Sequence, residues 1–477
     1  MITRLRAALA AMLVSALAAT PSSAAEPFTH DQLDAARAVR ERALADDTGY
    51  DLLRSLTTEV GPRLCGTPGD ARAVAWALAR LKALGFANVH AEPVKVPHWV
   101  RGTPRVEIVA PFAQPMVAVT LGGSIATPDS GIAADVVGVS SMAELALLPD
   151  SLVRGRIVYF GGRMTRSTTG SGYGAAVPVR GRGAGEAGKR GAVAVIIRSI
   201  GTDHDRVGHT GGMRFEKDEK KIPAFALSIP DADLLERQLA SGRTVRVRLR
   251  DDSYFADSAM SANVVGEIPG RNPRAGVVVL GAHLDSWDLG QGAHDDGTGV
   301  AIMTAAARLI GQSGVRPLRT IRVVLFANEE FGLSGAREYA RAHAAEAATI
   351  TAGMESDLGA FRPLSFSSRV DPALLPVVRA MGTVLAPLGV PHVGNEATGD
   401  ADVGRLYDLG VPVFDLDTDA STYFDLHHTP NDTFDKVDPA MVRLNTACYA
   451  SLAYLLADYA PGFGRAPRPA PAFAPAR

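Results

Sequence analysis

The sequence predicts an α/β protein in which a mixed β-sheet flanked by helices is interrupted by an inserted β-rich module. Two observations carry this. From Val264 onward, apolar β-branched runs alternate with helical patterns, and such alternation builds a sheet covered by helices on both faces. Between about 126 and 255 the texture changes: the short runs RIVYF, AVAVIIR and TVRVRLR are separated by glycine-rich connections, the pattern of a separate β-rich unit. With 477 residues, 47% of them hydrophobic, the chain can bury a large core, and two or three domains are expected.

The elements follow in chain order. Residues 1–25 place Arg4 and Arg6 ahead of an apolar run over 7–20 and end in small residues. That run is shorter than the roughly 20 residues that cross a bilayer, so it predicts a signal peptide and an exported protein, periplasmic or secreted, whose mature form does not enter a membrane. Segment 26–125 opens the main domain, with helical spacing in DQLDAARAVRERALADDTGYDLLRSLTTEV and in ARAVAWALARLKALGF, the latter closed by Gly85. The insert occupies 126–255. The main part of the domain, 256–460, holds the strand VVVLGAHLD, a helix from about Thr298, the strand TIRVVLFANEE, a helix after Gly332, the strand ITAGMESD and a long helix after Asp438-Pro439. The Pro/Ala-rich stretch 461–477 predicts a disordered tail.

Charge and cysteine content exclude several functions. Forty-nine basic against 51 acidic residues give a net charge of -2, with no electrostatic footprint for nucleic acid. Cys65 and Cys448 are the only cysteines, too few for a disulfide framework. Cys448 lies in helical apolar spacing and reads as core, and Cys65 sits in a turn.

The stretch GAHLDSWDLGQGAHDDGTGV (281–300) carries two histidines and four aspartates and no lysine or arginine. In open α/β sheets ligands collect beyond the carboxyl ends of the strands. The residues ending the predicted strands are His283 and Asp285, Glu329 and Glu330, and Asp357, with Asp295 in the loop after the first and His428 in HHTPNDT. Each alone has an ordinary structural reading, such as a helix cap or a solvated pair. Together they form a pool of carboxylates and imidazoles that needs positive charge, which a pair of divalent ions supplies. The mixed ligand types favour zinc, with manganese or cobalt as substitutes.

The order His-x-Asp, Asp-Asp-Gly, Glu-Glu, Glu-Ser-Asp, His-Thr-x-x-Asp-Thr resembles the co-catalytic zinc exopeptidases, which include bacterial aminopeptidases and glutamate carboxypeptidase II. Within them, MESDLGAF and FDLHHTPNDTFDKVDP are most similar to the carboxypeptidase Q branch. The resemblance runs from about 56 to 460. It implies two zinc ions, one held by His283, Asp295 and Asp357 and the other by Asp295, Glu330 and His428, with Asp295 bridging. It implies Asp285 as the acceptor of the second ring N–H of His283 and Glu329 as general base, hydrolysing small peptides. Where some relatives have a tyrosine that holds the developing oxyanion, this chain has His427, which would donate the same hydrogen bond. The insert resembles a protease-associated domain. Its loop 208–223 is a candidate for lining the cleft or an oligomer contact, and the resemblance leaves room for a homodimer. Asp402, in DADVG, is either an anchor for a substrate ammonium group or a helix N-cap. Competing readings are an aminopeptidase acting on longer peptides, a one-zinc glutaminyl-cyclase-like transferase, and a non-catalytic binding protein of the same fold.

Overall fold

A computed structural model describes residues 26–467; the predicted signal peptide lies outside them. The main sheet has seven strands, in spatial order Ala87–Val96, Ala259–Ile268, Thr320–Phe326, Val277–His283, Ile350–Glu355, Val413–Thr418 and Pro363–Arg369. The four from Thr320–Phe326 to Val413–Thr418 run parallel, and the flanking strands are antiparallel, so the sheet is mixed as predicted. Its parallel strands are near-continuous apolar runs because helices cover both faces. On one face lie His30–Leu44, Thr298–Gly311 and Pro439–Asp458, packed into the largest apolar cluster. On the other, Ser334–Ala342 and Gly404–Asp408 close a smaller one around Phe326 and Tyr339.

The insert is larger and less β-rich than predicted. Its eight-stranded sheet begins at Arg105–Ala110 and ends at Arg246–Arg250, so strands over 105–120 belong to it, upstream of the expected boundary at 126. Arg105–Ala110 pairs locally with Gln114–Met116 but joins the insert through its last strand, as Ala118–Thr120 does through Ala224–Leu227, and these non-local contacts leave no local signal. Between strands Ile157–Phe160 and Ala194–Arg198, the glycine-rich segment folds into a 19-residue helix, Ser171–Lys189. Glycine disfavours a helix, but here it permits close approach. A Cβ on Gly188 would lie 2.7 Å from the Lys220 carbonyl oxygen, and one on Gly185 2.3 Å from Glu219 Oε2. Packing of the loop across the helix therefore overrides local propensity.

The chain enters and leaves the insert through adjacent strands, Trp99–Val100 and Tyr254–Phe255, which pair antiparallel. At the other end of the chain, residues 461–467, predicted as disordered, pack instead. Phe463 is buried against Phe414 and Tyr459, and Ala466 N–H and Arg465 Nη1 donate to the Gly410 and Ala347 carbonyls, each at 3.0 Å, so apolar burial and hydrogen bonds together hold the segment. Among the described residues no helix is long and apolar enough to cross a membrane.

Candidate metal centre

All parallel strands of the main sheet end on one side, and there the predicted residues assemble. His283 is the last residue of its strand, Asp357 lies two residues beyond Ile350–Glu355, and Glu329-Glu330 follow Thr320–Phe326 through Asn328 at φ 60°. Asp295 sits in the turn leading to helix Thr298–Gly311 and His428 in the segment before the last helix.

Asp295 divides the cluster into two sides. Its Oδ1 is 3.1 Å from His283 Nε2, which is also 3.2 Å from Asp357 Oδ1. Its Oδ2 is 3.3 Å from His428 Nε2, which in turn is 3.0 Å from Glu330 Oε2. Asp295 thus stands between two imidazole–carboxylate pairs. Asp295 Oδ2 and Glu330 Oε1 are buried and accept no hydrogen bond, atoms left for a partner that is not protein.

The electrostatics point to the same partner. Burial pushes Glu329 and Asp402 well above the usual carboxylate range and Glu330 up to about 7. Burial would lower His428, but Glu330 and Asp295 outweigh it and lift the ring to about 9. Buried like charges are costly unless balanced, and cations between the two sides would balance them. The side-chain atoms of His283, Asp295 and Glu330 lie within 4.8 Å of one another, as do those of His283, Asp296 and Asp357 and those of Asp295, His427 and His428. This mixed nitrogen and oxygen donor set suits zinc.

Several groups fix these side chains, and not all as the sequence suggested. The His283 ring donates from Nδ1 to the main-chain oxygen of Asp285 at 3.1 Å, while the Asp285 carboxylate stands 3.6 Å away. That carboxylate instead accepts the backbone N–H of Glu329 at 3.0 Å, so Asp285 orients the His283 ring through its carbonyl and the candidate base through its side chain. Asp296 has both oxygens engaged by the backbone N–H groups of His283 and Gly299, so it braces the loop. Asp432, in the same motif as His428, accepts the N–H groups of His294 and Asp295 at 2.7 and 3.1 Å. Arg63, fully buried, donates to the carbonyls of Leu284, Gln291 and Gly292. Neither Asp432 nor Arg63 was given a role from sequence, because both act on backbone rather than on a ligand side chain.

The cluster opens into a cleft of about 930 Å³ between the sheet and the insert, within the usual range for small-ligand sites. Glu329, Asp357 and His427 line one wall, and Tyr173, Arg180, Arg182 and Arg214 the other. His427 stacks on His428 with ring centroids 3.5 Å apart. Burial, then His428, holds its pKa well below the usual value, so the ring is neutral, with Nδ1 unpartnered. Asp402 is 1% exposed and does not line the cleft; its neighbour Ala401 does. The N-cap reading of Asp402 fails, since the helix there begins at Gly404 with Val403 as its cap and both Asp402 carboxylate oxygens accept nothing. Of loop 208–223, Gly212, Met213, Arg214, Phe215 and Lys221 reach the cleft.

Comparison with known proteins agrees with the geometry. The family model described as Peptidase family M28 matches residues 263–453. Carboxypeptidase Q of Bos taurus is 36% identical over 415 residues, 87% of this chain and 86% of the bovine one. That of Xenopus laevis is 36% identical over 428 residues, 89% of this chain and 90% of its own. A solved peptidase M28 precursor from Shewanella amazonensis SB2B superposes with a TM-score of 0.90 at 44% identity, covering 92% of this chain and 99% of that one. An aminopeptidase from Aneurinibacillus sp. strain AM-1 shares the fold, with a TM-score of 0.61 at 20% identity over 91% of this chain and 97% of its own. With relatives matched across both the sheet domain and the insert, and a His/Asp/Glu cluster at the strand ends, the chain belongs to peptidase family M28 and is a zinc exopeptidase similar to carboxypeptidase Q.

Proposed function

We propose that this exopeptidase hydrolyses short peptides, dipeptides above all, that carry a free N-terminus, and that it does so with two zinc ions. The carrying observation is the position of Asp295, with one carboxylate oxygen toward His283 and Asp357 and the other toward His428 and Glu330. On this reading His283, Asp295 and Asp357 hold one ion, and Asp295, Glu330 and His428 the other. Bound there, two ions lower the pKa of a water and polarise the substrate carbonyl.

The chain's own groups do the rest. Glu329 lines the cleft, with its carboxyl pushed up by burial and its backbone fixed by Asp285. With cations beside it to keep it ionised, a carboxylate placed there would take the proton of the attacking water and return it to the leaving amine. Neutral His427 faces the same space and donates to the developing oxyanion. The acidic cleft, lined by Asp357 and Glu329, receives the substrate ammonium group, while Asp402, buried behind Ala401, makes no contact with it. Arg180, from the insert, is buried, and its Nε has no hydrogen-bond partner. Its Nη2 donates to Tyr173 Oη at 2.6 Å and its Nη1 lies 3.4 Å from the Thr210 carbonyl, so it acts on the cleft by its charge, which favours the carboxylate at the far end of a short substrate and hence dipeptides over long chains. Residues 1–25 support export to the periplasm or the medium.

A panel of dipeptides, tripeptides and longer peptides, digested with and without chelator and resolved by mass, tests the reading. Chelator-sensitive cleavage that is fastest on dipeptides, abolished by N-acetylation and weakened by C-amidation, is expected. Cleavage that survives acetylation and disappears on amidation would show a carboxypeptidase, and undiminished cleavage of long peptides would show an aminopeptidase.

A further inference from the structure

Of the five residues assigned as ligands, His428 alone is hydrogen-bonded to the insert among the described residues. Its ring Nδ1 lies 3.2 Å from the Thr210 carbonyl oxygen and, more distantly, 3.4 Å from Arg180 Nη1, also on the insert, and Thr210 N–H donates to the His428 carbonyl at 3.0 Å. This reciprocal pair holds His428 at φ 64°, a conformation costly for a residue with a Cβ unless its surroundings enforce it. One residue earlier, His209 Nδ1 lies 2.8 Å from the His427 carbonyl oxygen.

The His209 ring is itself fixed. Its Nε2 is 2.7 Å from Asp203 Oδ1, its backbone N–H donates to Ser199 Oγ at 2.8 Å, and a Cβ on Gly201 would fall 2.2 Å from its Cε1. Further bonds tie the same two segments together. Thr202 N–H donates to the Phe424 carbonyl at 3.1 Å, Thr202 Oγ1 to Asp425 at 2.7 Å, and Asn431 to Asp205 at 2.8 Å. The stretch from 420 to 431 is thus clamped by the insert, whereas His283 takes its orientation from Asp285 in its own domain.

We propose that the insert sets the occupancy of one metal position. The loop from Asp203 to Thr210 holds His428 in its ligating orientation, with His209 as a positioning residue, so that loosening the loop releases the ion on the His428 side and leaves the ion on the His283 side. This rests on the two-ion reading above. The partner that orients a ligating imidazole commonly changes metal affinity by about 10- to 100-fold. Coupling of binding events is reciprocal, so the ion on the His428 side also tightens the insert onto the cleft.

The test uses the full chain. Wild type, His209→Ala and Asp203→Asn are dialysed against the same zinc buffer, and zinc is measured by elemental analysis and by competitive chelator titration, with circular dichroism and melting curves as the check on folding. Two ions in wild type are expected, with one ion weakened about 10- to 100-fold in the variants and the other unchanged. In wild type, removing the weaker ion should speed hydrogen exchange at the Thr202 and Thr210 amides, a readout that stands even where His209→Ala does not fold. A folded variant that binds both ions as wild type does, or loses both together, overturns the proposal while leaving the two-ion reading intact. So does wild-type exchange that is indifferent to zinc. A wild type that holds a single ion overturns the two-ion reading and this proposal with it.

Discussion

The two sides of Asp295 are built by different means. On the His283 side the groups come from the ends of neighbouring parallel strands, and their register is set by the sheet itself. On the other side Glu330 is a strand-end residue, but His428 depends on a carbonyl 218 residues away in sequence, on the insert. One side is therefore as rigid as the sheet, and the other is conditional on how two domains meet. The same domain contact that shapes the cleft also holds His428 beside Asp295 and Glu330.

Four measurements would break or sharpen that contrast. The largest effect is expected for Asp295→Ala, which should weaken zinc on both sides and cut turnover by about 1000-fold or more, since it removes the group the two sides share. Elemental analysis showing one side still full would mean that the sides do not share this ligand. Glu329→Gln should lower kcat by at least about 100-fold with both ions retained, because only proton transfer is lost; near-normal turnover would remove it as base. Arg180→Met should raise KM for free dipeptides by about 10- to 100-fold through the loss of its charge, and leave C-amidated dipeptides nearly unchanged. Equal losses on both substrates would assign Arg180 to packing instead.

The smallest effect concerns stability and pH in zinc-free protein. Burial pushes Glu330 and Asp432 each up to about 7, and Glu330 and Asp295 lift His428, against burial, to about 9. All three folded values lie above the unfolded ones. The carboxyl contribution is therefore full below about pH 4 and lost as pH rises through about 7, and the imidazole contribution is full below about 6.5 and lost as pH passes 9. Chelator-treated protein should melt several degrees lower at pH 8 than at pH 6, and zinc, which replaces those protons, should flatten or reverse the slope. A flat curve without zinc would show that the His428 side holds no extra protons.

Much of this was legible in the sequence. Apolar runs ending in His, Asp and Glu marked both the sheet and the rim where ligands gather, and His283, Glu330, Asp357 and His428 all lie around Asp295. What stayed hidden has a common physical cause. The helix Ser171–Lys189 that carries Arg180 is glycine-rich, so its composition pointed to a loop; only the chain crossing over Gly185 and Gly188 explains it. The partner of the His428 ring is a backbone carbonyl, which every residue has and no side-chain pattern reveals. The first strands of the insert were assigned to the wrong domain because the pairings that tie them to the rest of its sheet lie more than a hundred residues downstream.

The paired strands Trp99–Val100 and Tyr254–Phe255 bring both ends of the insert to one place. In topology, that makes the insert a cassette: it could be cut out and another spliced in without disturbing the order of the main sheet. The bonds from Thr202, His209 and Thr210 to the stretch 420–431 remove that freedom. A chimera that exchanges the insert alone would inherit a new cleft wall beside a misplaced histidine. A functional insert would be transplanted only when the two stretches travel together, and along a lineage they are expected to change in step.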